Sequence, residues 1–148
     1  MSLKTKLANC KLKKVMDKFE HHKIVIDKLG FDILWIEEIL NPEDTGIKYL
    51  IIRLADGLGN KAIVKYSINI DEGTIFLADL DNAKMINRGI GTMVLGYLDL
   101  RAAEFGISKI YGYLAPADMD HRPRLEWFYQ KNGYTIIGTS VTKEFAKS

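Results

Sequence analysis

The spacing of apolar positions changes several times along the chain, and each change predicts a new element. Leu3, Leu7 and Cys10, then Leu12, Val15, Met16 and Phe19, recur at three- and four-residue steps with lysines opposite. That stripe predicts a basic amphipathic helix within 1–22. Ile24, Ile26 and the run Phe31–Leu40 fit strand or helix, with strand preferred for 31–40. Asn41-Pro42-Glu43-Asp44-Thr45-Gly46 is turn material. Ile47–Leu54 is rich in Ile, Leu and Tyr and is closed by Asp56-Gly57 and Gly59-Asn60. Lys61–Ile70 alternates, with Ala62, Val64, Tyr66, Ile68 and Ile70 on one face and Lys65, Ser67 and Asn69 on the other. Asp71-Glu72-Gly73 then turns the chain into Thr74–Leu80. Together these segments predict an antiparallel meander.

After the meander the period lengthens. Ile90, Val94, Leu98, Ala102 and Phe105 predict a helix from Gly89 to Phe105, with Gly106 as its C-terminal stop. Lys109–Leu114 reads as a short strand. Pro123 suits the first turn of a helix running to about Lys131, which Asn132-Gly133 ends before a strand over Tyr134–Val141. The expected fold is a single α/β (α+β) domain over 1–148, with a central mixed, mostly antiparallel sheet flanked by helices.

Composition narrows the classes. The chain has 148 residues, of which 47% are hydrophobic and 27% charged, a globular balance for one domain. No run approaches the roughly 18 apolar residues of a membrane helix, and the lysine-rich start lacks the apolar core of a secretory signal. Cys10 is the single cysteine, so no internal disulfide forms, and a reducing, cytoplasmic setting is expected. The net charge of +2 argues against a polyanionic partner. Residues 1–20 carry +4 and the remainder −2, so a basic surface on the first helix is a solvated face or, as a weaker reading, a nucleic-acid contact. His21 and His22 are neighbours and point apart, no Cys/His/carboxylate spacing fits zinc, and no G-x-S-x-G elbow occurs, so no metal is expected.

The most informative segment is Asn87-Arg88-Gly89-Ile90-Gly91-Thr92, between a predicted strand and a predicted helix. Two glycines one residue apart let the backbone approach a ligand, or pack tightly against a neighbouring element. The first helical turn leaves amides unpaired, and they favour an anion there by about 0.3–1 kcal/mol per charge. Arg88 adds a charge able to fork onto phosphate. No Gly-Lys-Ser/Thr follows, which excludes a P-loop, and the antiparallel meander argues against a dinucleotide βαβ unit.

Strand, Arg88-Gly89-Ile90-Gly91-Thr92 and a long helix resemble the coenzyme A pyrophosphate loop of the GNAT N-acetyltransferases. Arg124-Leu125-Glu126-Trp127-Phe128-Tyr129-Gln130-Lys131-Asn132-Gly133-Tyr134 resembles a later segment of that family, and the resemblance covers about 45–141. Two positions depart from its pattern. Ile86 stands where the family usually has Arg or Gln, and Arg122 where it often has Asn.

The resemblance implies transfer of an acetyl or other acyl group from acetyl-CoA to a primary amine, small-molecule or protein, within a ternary complex. It implies splayed strands at the cofactor site, with backbone at Ala78-Asp79-Leu80 pairing with the acyl–pantetheine arm. Gly89, Ile90, Gly91, Thr92 and Arg88 would hold the diphosphate. Tyr129 matches the family's general acid to the sulfur. A phenol near pKa ~10 and a thiol near ~8.5 make full transfer uphill by about 2 kcal/mol, so a strengthening hydrogen bond is the better description. Asp79 is the preferred base, with Asp81, Glu37, Glu38, Asp118, Asp120 and His121 as further candidates. A non-catalytic acyl-CoA-binding or partner-binding module of the same fold is the alternative, and a homodimer is compatible with either.

Overall fold

The computed structural model describes residues 2–16, 23–41, 46–82, 85, 87–114 and 121–146, with 13–16 described by their backbone. Among these residues the order is α1 (Leu3–Met16), β1 (Lys23–Ile26), β2 (Asp32–Ile39), β3 (Ile47–Ala55), β4 (Lys61–Asn69) and β5 (Thr74–Asp81). There follow α2 (Ile90–Phe105), β6 (Lys109–Tyr113), α3 (Arg122–Lys131), β7 (Thr135–Ile137) and β8 (Ser140–Glu144). The strands form one sheet in the order β1-β2-β3-β4-β5-β6-β8-β7. Neighbours run antiparallel except β5 and β6, which are parallel because α2 carries the chain across between them. The ambiguous stretch 24–40 is thus a hairpin of β1 and β2, and the meander lies where the alternation predicts it.

The core forms on one face of the sheet. Trp35, Leu50, Ile52, Leu54, Ala62, Val64, Tyr66, Ile68, Ile75 and Ile110 are buried, and α2 lays Val94, Leu98 and Ala102 over them. Alternation in β4 sends Ala62, Val64, Tyr66 and Ile68 inward and leaves Ile63 and Lys65 exposed, as a half-buried strand requires. Ile70, expected on the inward face, lies past the end of β4 and is exposed. No helix among the described residues is long and apolar enough to cross a membrane.

Two expectations are corrected. The first concerns the face of α1. Leu3 and Leu7 are 72% and 54% exposed and Cys10 is exposed, whereas Thr5, Ala8 and Leu12 are buried. The seat of the helix explains this. A Cβ on Gly57 would lie 1.7 Å from the Ala8 carbonyl oxygen, so the backbones of α1 and the β3–β4 turn are in direct contact. Only small residues fit there, and Asn9 completes the seat by donating to the Gly30 carbonyl (3.2 Å) and accepting from the Asp32 amide (2.7 Å). The expected continuation of this helix through 17–22, with His21 and His22, lies outside the described residues. The second correction is the strand over 134–141. It is a hairpin of β7 and β8, because Gly138 takes φ 62°, a left-handed turn conformation that its lack of a Cβ permits.

Gly57→Ala is expected to lower stability by about 3 kcal/mol or more, at the upper end of overpacking costs, because backbone rather than a mobile side chain must yield. Urea unfolding reads the loss; a shift of only a few tenths of a kcal/mol would show that α1 does not sit on Gly57.

Candidate functional site

The glycine turn delivers α2 to a cavity. Gly89 is the N-cap at φ 78°, with no side chain capping the helix, and the first amide to close a helical bond is that of Met93, donating to the Gly89 carbonyl (3.0 Å). The amides of Ile90, Gly91 and Thr92 therefore lack intrahelical acceptors. Those three residues line a cavity of about 230 Å³ whose charged lining, among the described residues, is Lys28, Arg124 and Lys131, with no acidic residue among them. Leu80, Leu125, Trp127 and Phe128 supply apolar walls. Gly91 also serves packing: a Cβ there would lie 2.6 Å from Phe128 Cζ, so α3 comes against α2 through that ring. Close packing at Gly91 leaves space in front of the amides.

Arg88 does not face the cavity, which corrects the expectation that its side chain meets phosphate. Its Nε donates to Asp27 Oδ2 (2.6 Å) and its Nη1 to Asp56 Oδ2 (2.7 Å). The Arg88 side chain is 9% exposed and both carboxylates 0%. The guanidinium lies over the Phe31 ring, 4.6 Å from its centroid. Asp27 also accepts from the amides of Leu29 and Phe31, and Asp56 from those of Leu58 and Asn60. Burial alone would raise the Asp56 carboxyl, but hydrogen bonds from Arg88, Asn60 and two backbone amides outweigh it and hold it below its ordinary value. Arg88 itself is raised: burial would lower it, and the two carboxylates outweigh that.

A second cavity opens where the sheet splits. β5 and β6 pair only from Thr74↔Lys109 to Leu77↔Gly112. Beyond that point β5 stays with β4 (Lys65↔Asp79, Val64↔Leu80) and Tyr113 stays with β8. The register slips by one residue between Lys65 and Tyr66, leaving Ala78 as a β-bulge. The splay holds a cavity of about 220 Å³ lined by Ala78, Asp79, Leu80, Asp81 and Tyr113 among others, and Asp79 and Asp81 are its only charged lining among the described residues. Leu80, Leu125 and Tyr129 line both cavities. Tyr129 is buried on α3, edge-on to Phe128 and Tyr134. The structure therefore brings Ala78, Asp79, Leu80, Tyr129, Gly89, Ile90, Gly91 and Thr92 together along one connected surface and sets the Arg88 side chain behind it.

Glu37, Glu38 and His121, the other base candidates among the described residues, stand apart from both cavities. Glu37 accepts from the hydroxyls of Tyr66 and Tyr97 (2.8 Å each) and from Arg101, a network that ties β2 and β4 to α2. Burial, then the hydrogen bond that its hydroxyl donates to Glu37, pushes Tyr97 up to about 12, and burial with the Glu37 charge raises Tyr66 well above its ordinary value. Glu38 pairs with Arg53 in solvent at 2.8 Å. His121 caps α3 and is exposed, and Arg122 bonds Glu126 (2.6 Å) and the Gly138 carbonyl, joining α3 to the β7–β8 turn. Ile86, Asp118 and Asp120 lie outside the described residues.

Sequence reasoning missed the three lining cations. Arg124, Phe128 and Lys131 follow i, i+4, i+7 spacing, a readable sign that they share one face of α3. Lys28 gave no sign, because only the tertiary contact between the β1–β2 turn and the glycine turn carries it there.

No family model and no curated protein matches this sequence. Solved structures do match. The GNAT domain of PAT from S. lividans aligns at 15% identity and TM-score 0.58 over 84% of this chain and 96% of that one. The PaiA N-acetyltransferase of Thermoplasma acidophilum, solved in complex with coenzyme A, aligns at 16% identity and TM-score 0.50 over 64% of this chain. A mutant of the spermidine N-acetyltransferase SpeG of Vibrio cholerae aligns at 15% identity and TM-score 0.52 over 69% of this chain and 68% of that one. The alignment spans 60% of the length of the Thermoplasma protein. At these identities the likeness establishes the fold.

Arg88→Met would strand two buried carboxylates and is expected to cost about 3–5 kcal/mol of stability, read by urea unfolding. The folded Asp56 carboxyl lies below its ordinary value of 3.8. Its contribution is therefore complete above about pH 4 and is lost as pH falls through the folded value. Asp56→Asn should flatten the decline of the urea midpoint below pH 4; an unchanged decline would show that Asp56 is not held low.

Proposed function

We propose that this chain, which has the fold of the GNAT acetyltransferases, is an acyl-CoA-dependent N-acyltransferase acting on a primary amine. One observation carries the reading. A cavity lined by cations and free helix amides meets a cavity lined by carboxylates, and Tyr129 stands on the wall they share. The residues fit coenzyme A on their own chemistry. The amides of Ile90, Gly91 and Thr92 suit its diphosphate, since helix N-termini bind anions. Arg124 and Lys131 add charge beside them, and the apolar walls suit its pantetheine arm. When bound, that group supplies an activated acyl thioester.

The chain's own groups then divide the work. The bulge at Ala78 releases backbone from the ladder at the edge of the splay. A donor amide there would polarise an acyl carbonyl, a role whose loss typically costs about 2.7–4 kcal/mol of barrier. Tyr129 would donate a hydrogen bond from Oη to the departing sulfur. Asp79 and Asp81 present the negative potential that draws a protonated amine, which must shed a proton before attack. Asp79 is the nearer to the bulge in sequence and is the assigned base. The SpeG likeness supports an amine acceptor in kind.

Acetyl-CoA is expected to raise the melting temperature, and free thiol should appear with at least one amine of a broad panel. Tyr129→Phe should lower kcat by roughly 10²-fold with the Kd for acetyl-CoA unchanged within about twofold. If kcat does not move, Tyr129 is a packing residue. Cofactor binding without thiol release from any amine would identify a binding module instead.

A further inference from the structure

We infer that Lys28, carried by the β1–β2 turn, is a phosphate-binding cation of the cofactor site; the inference rests on the placement of the diphosphate proposed above. The Arg88–Asp27–Asp56 triad pairs one positive with two negative side chains, so the residue before Gly89 brings no positive charge to the site. A buried net negative group behind an anion site opposes the anion. The same triad supplies the remedy. Asp27 shapes the turn through its bonds to the Leu29 and Phe31 amides, and its grip on Arg88 docks that turn on the glycine turn. The Lys28 amide then donates to the Arg88 carbonyl at 3.2 Å.

This places the Lys28 side chain over Gly89. Its methylenes lie 3.8–3.9 Å from where a Cβ on Gly89 would be, and it lines the cavity with Ile90, Gly91 and Thr92. Lys28 is exposed, and no salt bridge among the described residues occupies its ammonium. Its backbone is held by the bond to Arg88 while its charge stays available, as a phosphate-binding lysine requires. The cation that the sequence sets beside the glycines thus turns inward, and one from a distant turn takes its place.

Calorimetric titration of acetyl-CoA into the full chain tests this with Lys28→Met, Lys28→Arg and, as a control at the end of β6 away from the splay, Lys109→Met. Lys28→Met should weaken binding by about 5–10-fold and reduce the salt dependence of Kd, as loss of one charge-assisted phosphate contact does. Lys28→Arg should restore affinity to within about threefold, and Lys109→Met should leave it unchanged. The melting temperature of the free protein should be the same in all. If the wild-type chain binds and Lys28→Met binds equally well, the Lys28 assignment falls and the cofactor site stands. If the wild-type chain does not bind acetyl-CoA, both fall.

Discussion

Arg88 lies between two carboxylates that solvent does not reach, and three separate turns of the chain are held in place by that contact. Asp27 belongs to the β1–β2 turn, Asp56 to the β3–β4 turn, and Arg88 to the turn that starts α2. Removing three charges from water is expensive, and mutual attraction repays it only when the remaining lone pairs are satisfied. Here they largely are. Each carboxylate accepts two backbone amides beside its bond to Arg88, and Asn60 adds a further donor to Asp56. Within the triad, Arg88 Nη2 is left buried without a partner among the described residues. Such a network contributes registry more than net stability. It decides where the first turn of α2 points, and so where the cavity opens.

The second constraint is the split in the sheet. A parallel pair in mid-sheet would normally stay closed along its length, but β5 and β6 part after Leu77 and Gly112. Each strand follows its other neighbour from there, and the slip at Ala78 changes the course of β5 at that point. The gap is a consequence of topology, since strands with antiparallel partners on their outer sides can diverge without leaving either edge wholly unpaired. α3 lies across the gap and contributes Tyr129 to it. The opposed charges of the two cavities follow from their separate origins. The cations come from the β1–β2 turn and α3, and the carboxylates from the end of β5.

These two constraints are compatible with a GNAT fold at 15–16% identity to the solved structures it resembles. The fold depends on alternation in the meander, a long apolar helix and a glycine turn, and many sequences satisfy those conditions. Side chains around the glycine turn are freer to vary if, as proposed above, backbone amides hold the anion. Arg88 turns inward, where Asp27 and Asp56 hold it.

By itself the sequence determined the local features whose cause is local. The period-two run in β4, the helical period from Ile90 to Phe105 and the stop at Gly106, whose amide bonds the Ala102 carbonyl, all follow from neighbouring residues. The glycine pair marks the turn for the same reason. Tertiary structure decided the rest. The inward face of α1 was settled by the close approach of Ala8 to Gly57, which no apolar count along the helix encodes. The hairpin at Gly138 replaced one strand because β8 has a partner in β6 that the sequence does not display. Arg88 reads as a phosphate ligand until Asp27 and Asp56, 61 and 32 residues away, are seen to claim it. Glu37 reads as a free carboxylate until two tyrosines and an arginine close on it. In each case the deciding energy comes from removing a group from water beside a partner far along the chain, and that pairing exists only once the fold is formed.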